Sequence, residues 1–273
     1  MWYLTKIPKR LFLYWGKNKS LSLLRYYTVL SFHALNPDWE IVIYIPKIPV
    51  KKITWETNEQ KHEEEGKDWF FLLQDNPLIK IVEFDFSRFK QFENASEVHR
   101  SDFIRLYLLS VFGGWWSDFD ILYIKPMDRM LINKPENKEV DFCVCYNHQQ
   151  NYNIGNFLGG RKEPIVEECF GFLMKEALAH FYDKEYQTIG RFLYDKFISF
   201  DDENRYEGLI KGNILNIPFD TVNPVEWNRK EFLFNDIIDL SENTIGIHWF
   251  AGGGSPLLLK GSTVDRCMEL VLK

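Results

Sequence analysis

Two carboxylates, Asp118 and Asp120, stand two residues apart at the end of the apolar segment that begins at Trp115. On an extended strand, residues two apart project to the same side. The spacing therefore predicts that both acids face one place. Like charges held close in a poorly solvated site repel strongly, and a cation beside them relieves the repulsion. Hard divalent ions such as Mg²⁺ or Mn²⁺ take oxygen ligands, typically one or two carboxylates completed by substrate phosphates. A lone Asp-x-Asp is a weak signal, because Asp is also a common turn and cap residue. Here Leu108, Leu109, Val111, Phe112, Ile121, Leu122 and Ile124 surround the pair with core-type residues, an address that surface carboxylates rarely have. In an α/β chain, the crevice outside a strand's carboxyl end is where ligands bind.

The residues that position these acids read as follows. Ala95–Phe112 is a helix running into Gly113-Gly114, and Asp102 and Arg105, three apart, fall on one of its faces. Trp115–Phe119 and Ile121–Ile124 are strands framing the acids. Lys9–Leu13 is a first strand, Ser20–Leu35 a helix with an apolar stripe, and Glu40–Ile45 and Ile79–Asp85 are strands. Residues 46–68 are polar and without period, a loop. Further strands are expected at Asp141–Tyr146, Asn156–Gly159, Ile214–Ile217 and Thr244–Ile247, and helices at Pro164–Tyr182 and Glu185–Phe200. Alternating strands and helices predict an α/β fold with a mainly parallel central sheet flanked by helices, its carboxyl-terminal portion helical. His248 closes the last strand, and the run Ala251 to Ser255, with Gly253 at its centre, follows. Glycines permit positive φ and a close backbone approach to phosphate oxygens. Imidazole is an acceptable ligand for Mn²⁺ and a poor one for Mg²⁺.

The chain has 273 residues, 45% of them hydrophobic, enough to bury the core of one domain. Its net charge of −6 supplies no basic field for a polyanion, so nucleic acid is not an expected partner. No apolar run reaches the roughly 18 residues of a spanning helix. Met1–Arg10 has no secretory apolar region. Cys143, Cys145, Cys169 and Cys267 lack zinc-site spacing and suit core thiols in a reducing compartment. A cytoplasmic protein is expected, with peripheral membrane attachment left open.

The set Ser101-Asp102, Arg105, Gly113-Gly114, Trp116, Asp118 and Asp120 resembles the signature of DxD-motif glycosyltransferases of the GT-A fold. The similarity is to the glycosyltransferase family 32 type, with capsular and lipopolysaccharide sugar transferases, and to the clostridial glucosylating toxins. Ser117 is a mild departure, where the family more often has a larger apolar residue. The opening, Ile7-Pro8-Lys9 to Trp15-Gly16, resembles the family's first strand. The resemblance implies one GT-A domain, with residues 1–125 the nucleotide-binding half and 126–273 the acceptor-side half. It implies a metal-dependent transfer from a nucleotide-sugar, UDP preferred over GDP, to a hydroxyl of a glycan, lipid-linked sugar or protein, with retention at the anomeric carbon. Implied metal ligands are Asp118, Asp120 and His248. Nucleotide contacts fall on Leu13, Tyr14, Trp15, Gly16, Trp116, Gly253 and Ser255, with Tyr14 and Trp15 rivals for stacking on the base. Asp102 is assigned to the sugar hydroxyls, Arg105 to the sugar or diphosphate, and Asn156 to the sugar or acceptor. Asn223-Pro224-Val225-Glu226-Trp227 resembles a family element near the acceptor. Pro256 departs from the family, which more often has Trp after that serine; this bears on loop closure and on the His248 ligand.

Two other classes fit the acids alone. One is a different metal-dependent nucleotide-sugar enzyme, such as a nucleotidyltransferase, although Trp15-Gly16-Lys17-Asn18 has a single glycine and makes no phosphate loop. The other is a non-catalytic carbohydrate-binding protein.

Overall fold

The computed structural model describes residues 7–17, 20–50, 67–130, 140–147, 152–162, 164–186, 188–190, 197–201, 205–253 and 257–271. A seven-stranded sheet runs in the order β3-β2-β1-β4-β7-β6-β8. Its strands are β1 (Arg10–Tyr14), β2 (Glu40–Pro46), β3 (Ile79–Phe84), β4 (Gly114–Ser117), β6 (Phe142–Asn147), β7 (Tyr152–Gly160) and β8 (Ile214–Asn216). Pairing is parallel from β3 through β4 and again between β6 and β8; β7 is antiparallel to both of its neighbours. A second sheet pairs β5 (Ile121–Tyr123) with β9 (Gly246–His248), antiparallel. Among the described residues the helices are α1 (Leu23–Leu35), α2 (Phe70–Gln74), α3 (Glu97–Phe112), α4 (Pro164–His180), α5 (Glu231–Asn235) and α6 (Thr263–Val271).

Both faces of the large sheet are buried, which is why its strands read as continuous apolar runs. Phe12, Tyr14, Val42, Tyr44, Trp116 and Leu158 pack with Phe103, Ile104 and Leu108 of α3 and with α4 on one face. Leu11, Leu13, Ile41, Ile43, Trp115 and Phe157 pack with Val29 and Phe32 of α1 on the other. The period of two along each strand thus sorts its side chains between two cores.

Several expectations shift in the structure. The strand expected at Trp115–Phe119 stops at Ser117, and Phe119 and Asp120 form a turn. Asp118 and Asp120 are therefore not presented by strand alternation. Ser117 Oγ donates to the Asp118 carbonyl at 2.9 Å and accepts from Tyr123 Oη at 2.8 Å, closing the connection by which the chain leaves one sheet for the other. Ser22 caps α1, whose start was expected at Ser20. In the stretch expected as a helix from Glu185 to Phe200, residues 185, 186, 188 and 189 are not helical, 190 and 197 are, 198–200 are not, and 187 and 191–196 lie outside the described residues. Helices α2, α5 and α6 were not anticipated. All four cysteines are buried and free, and among the described residues no helix is long and apolar enough to cross a membrane.

Candidate active site

Helix α3 carries the first pair of charged residues into position. Ser96 caps it through the His99 amide, a contact that typically contributes about 1 kcal/mol. Gly113 (φ +61) ends the helix and Gly114 (φ +114) begins β4. A Cβ at Gly114 would stand 2.9 Å from the Arg10 carbonyl oxygen. The two glycines therefore let the chain reverse within two residues and lay β4 directly against β1. Asp102 and Arg105, toward the middle of α3, come back beside the carboxyl end of β4.

Asp118 faces α3. Its Oδ1 accepts from Trp116 Nε1 at 2.8 Å and lies 3.8 Å from Arg105 Nη2. The Arg105 guanidinium pairs with Asp102 and sits 5.3 Å over the Trp116 ring. Asp120 meets β9. Register in the small sheet sets Ile121 opposite His248, so the residue before Ile121 meets the imidazole. Asp120 Oδ2 lies 3.2 Å from His248 Nε2 and accepts the Ala251 amide at 2.9 Å; its main-chain oxygen accepts the Trp249 amide at 2.9 Å. Asp120 Oδ1 is buried, with no hydrogen-bond partner among the described residues. His248 Nδ1 is 3.0 Å from Asn223 Oδ1. An amide oxygen only accepts, so Nδ1 carries a proton, and Nε2 is the nitrogen that meets the Asp120 carboxylate.

Charge follows this geometry. Burial raises the Asp118 carboxyl above the ordinary carboxylate range; Arg105 opposes the rise and Asp120 adds to it. Burial works in the same direction on Asp120, but His248, Arg25 and the Ala251 amide outweigh it and hold that carboxyl well below the ordinary range. Burial also raises Asp102, against Arg105 and His99.

Among the described residues no three His, Cys, Asp or Glu side chains form a closed metal cluster. The donors nonetheless fit a divalent cation that is completed by phosphate: a buried carboxylate oxygen, Asp120 Oδ1, without a partner among the described residues, and the imidazole nitrogen His248 Nε2 beside the same carboxylate.

The other expected contacts are placed as follows. Tyr14 is buried, donates its hydroxyl to Glu97 and meets Phe86 edge-on, while Trp15 is only partly buried. Leu13 is fully buried on the opposite sheet face. Gly16 passes so near Glu97 that a Cβ would fall 2.5 Å from its Cγ. Phe157 pairs with Ser117 at the end of β4, and Asn156 precedes it on β7. Gly253 ends a short 3-10 turn, Ala251–Gly253; Ser255 and Pro256 lie outside the described residues.

Three residues that the sequence reading did not single out belong here. Arg25 of α1 is buried, with its guanidinium 5.2 Å over Trp15 and 5.5 Å over Trp249. Lys230 donates to the Phe250 carbonyl at 3.1 Å, fastening a left-handed residue (φ +52) after β9. Tyr186, after α4, is a residue on which the charges of Asp102, Asp118 and Asp120 act. Asn223, expected near an acceptor, stands behind His248. A cavity of about 140 Å³ opens at the carboxyl ends of β2 and β3, lined by residues including Ile48, Asp85, Phe86 and Arg100.

A family model described as capsular polysaccharide synthesis protein matches residues 48–219. No curated protein matches the chain. Among solved structures, the bifunctional glycosyltransferase WbbM is similar at 12% identity and a TM-score of 0.54, over 98% of this chain and 50% of that one. The glycosyltransferase GlyE of Streptococcus pneumoniae TIGR4 is similar at 11% identity and a TM-score of 0.53, over 97% and 61%. The galactosyltransferase LgtC, solved with donor and acceptor sugar analogues, aligns at 13% identity and a TM-score of 0.48, over 96% and 95%. The chain thus spans half the length of WbbM and about three fifths of GlyE. The likenesses to WbbM and GlyE show a fold, that of the GT-A glycosyltransferases.

Proposed function

The chain belongs to the capsular polysaccharide synthesis protein family, a glycosyltransferase by family and fold, and we propose that it transfers a sugar from a nucleotide-sugar in a reaction that needs a divalent cation. The observation that carries this reading is the buried Asp120 carboxylate, with Oδ1 unpartnered and Oδ2 3.2 Å from His248 Nε2. In such a transfer, negative charge grows on the departing nucleoside diphosphate. A bound Mn²⁺ or Mg²⁺ would act as a Lewis acid toward that charge. Asp120 and His248 are the residues that would hold it, with Asp118 contributing directly or through water.

The remaining roles belong to the chain's own side chains. Arg105, fixed by Asp102 and stacked over Trp116, holds a positive charge beside the acids without reorganising, the kind of preorganised electrostatics that dominates many enzymes. Asp102 accepts hydrogen bonds from the donor sugar's hydroxyls and so fixes its orientation. Trp15, more open than Tyr14, offers the face on which the base stacks. The finer reading is a UDP-sugar donor bound by residues 1–125 and a glycan, lipid-linked sugar or protein acceptor met by 126–273, with retention. Four free buried thiols support a reducing, cytoplasmic setting.

The test is a panel of UDP- and GDP-sugars, scored by thermal shift and by donor hydrolysis with and without Mn²⁺. Mn²⁺-dependent stabilisation and hydrolysis by at least one donor are expected, both abolished in Asp120→Asn with the fold intact. Near wild-type turnover by that variant overturns the assignment of the cation site.

A further inference from the structure

The peptide between Phe250 and Ala251 is held from both sides. Its N–H donates to Asp120 Oδ2 at 2.9 Å, and its carbonyl oxygen accepts from Lys230 Nζ at 3.1 Å. Two residues before Ala251, the Trp249 amide donates to the Asp120 main-chain oxygen at 2.9 Å. Phe250 stands between these two amides and is left-handed (φ +52). In a residue with a Cβ, that conformation crowds the following carbonyl oxygen, and it persists only where surrounding contacts impose it. A chain that relaxed out of it would turn the Ala251 amide away from Asp120.

Lys230 grips this peptide from a firm base. It immediately precedes α5, and the Leu233 amide donates to its carbonyl at 3.0 Å. Leu233 and Phe234 of that helix are buried in one cluster with Trp249 and Ala251, and Phe234 meets Trp249 edge-on at 6.4 Å. The lysine is thus rooted in the same packing that holds both neighbours of Phe250. A peptide unit is planar, so fixing its oxygen also fixes the direction of its N–H. A cation on that oxygen polarises the unit and strengthens the N–H as a donor. The effect falls on Asp120. The Ala251 amide and His248 Nε2 both engage Oδ2, and Oδ1 is the oxygen without a partner among the described residues.

We propose that Lys230 is a positioning residue for the cation site: through the Phe250–Ala251 peptide it holds Asp120 Oδ2, and so keeps Oδ1 available to the divalent ion. This rests on the reading of the protein as a metal-dependent nucleotide-sugar transferase. Lys230 acts on Asp120 through the backbone, and its ammonium touches neither the cation nor the donor.

The experiment compares the wild type with Lys230→Met and Lys230→Arg in three measurements. The first is the Mn²⁺ concentration that gives half-maximal hydrolysis of UDP-glucose, UDP-galactose or GDP-mannose without acceptor. The second is calorimetric binding of Mn²⁺ in the presence of UDP or GDP. The third is hydrogen exchange at the Ala251 amide in the metal-free protein. Lys230→Met should raise the half-maximal Mn²⁺ concentration and the Mn²⁺ Kd roughly 10-fold, the lower end of what outer contacts to a metal ligand contribute. Its kcat at saturating Mn²⁺ should stay near that of the wild type, and Ala251 should exchange faster before any metal is added. Lys230→Arg keeps a cationic donor and should restore most of each loss. Glycine adopts positive φ without penalty, so the factor lost on removing Lys230 should shrink in a Phe250→Gly background. Where Lys230→Met does not fold, Lys230→Gln is read by the same outcomes. Unchanged Mn²⁺ affinity in Lys230→Met overturns the inference. So does a loss of turnover that saturating Mn²⁺ does not recover, which would put the ammonium on the donor itself, and so does a factor undiminished in the Phe250→Gly background. A wild type that hydrolyses none of the three donors and binds no Mn²⁺ with UDP or GDP overturns the transferase reading and this inference with it. Wild-type hydrolysis matched by Lys230→Met at limiting Mn²⁺ overturns this inference alone.

Discussion

His248 presents Nε2 to Asp120 Oδ2 at 3.2 Å while Asn223 Oδ1 holds its Nδ1 at 3.0 Å. Asn223 therefore fixes the ring so that Nε2 is the nitrogen that meets Asp120.

Replacing Asn223 tests the orienting contact. Residues that orient a ligating histidine typically contribute 10- to 100-fold in metal affinity. Asn223→Leu should raise the Mn²⁺ concentration needed for half-maximal donor hydrolysis by about that factor, with little change in kcat at saturating Mn²⁺. An unaltered Mn²⁺ requirement would remove His248 from the ligand set.

Asp118 gives a prediction for the cation-free protein. Its folded-state pKa is raised, first by burial and then by Asp120, against Arg105. A raised carboxyl pKa means that the folded state binds the proton more tightly than the unfolded chain, so ionisation costs stability as pH rises above the ordinary carboxylate value. Asp120 has the opposite sign: its depressed pKa stabilises the fold above the ordinary value, and this contribution fades as pH falls below it. At pH 7 without metal, Asp118→Asn should therefore raise stability by about 1 kcal/mol, a rise of roughly 2–4 °C in Tm. Asp120→Asn should lower it. Mn²⁺ with UDP should stabilise the wild type more than Asp118→Asn. The reverse ordering of the two variants in a metal-free thermal scan would contradict the charge assignment.

Arg25 joins two indoles from distant parts of the chain, Trp15 after β1 and Trp249 after β9. A desolvated cation–π contact is worth up to about 2 kcal/mol. Arg25→Met preserves volume and removes the charge, and should cost about 1–3 kcal/mol in denaturant unfolding. UDP affinity should fall as the Trp15 ring loses its support. Wild-type stability in Arg25→Met would show that the guanidinium is a bystander.

The signature from Ser101 to Asp120 was legible because each part has a local cause: a helix face carrying Asp102 and Arg105, two glycines that only a tight reversal requires, and an apolar strand. His248 was legible as a residue at a strand end, and Asn223 as part of a recognisable element. What escaped was whatever a distant contact decides. Arg25 reads as an ordinary polar helix residue until Trp15 and Trp249 close on it. Tyr186 lay inside a stretch read as helix; residues 185, 186, 188 and 189 turn instead, with the Glu185 carbonyl oxygen 3.0 Å from His99 Nε2, 86 residues away in sequence. The acids themselves were read as strand neighbours. The structure instead turns Asp118 to α3 and Asp120 to β9, because Trp116 captures the first and the small sheet the second.

The ladder between β5 and β9 joins Ile121 to His248 across more than a hundred residues of chain. Because strand side chains alternate, a slip of one position would offer Asp120 an isoleucine or an indole in place of imidazole. Half of the site is thus written near residue 120 and half near residue 248, and neither piece is a working unit by itself. Transplanting the Asp-x-Asp segment onto another scaffold would carry over its carboxylates but leave behind the strand that gives the second one its neighbour.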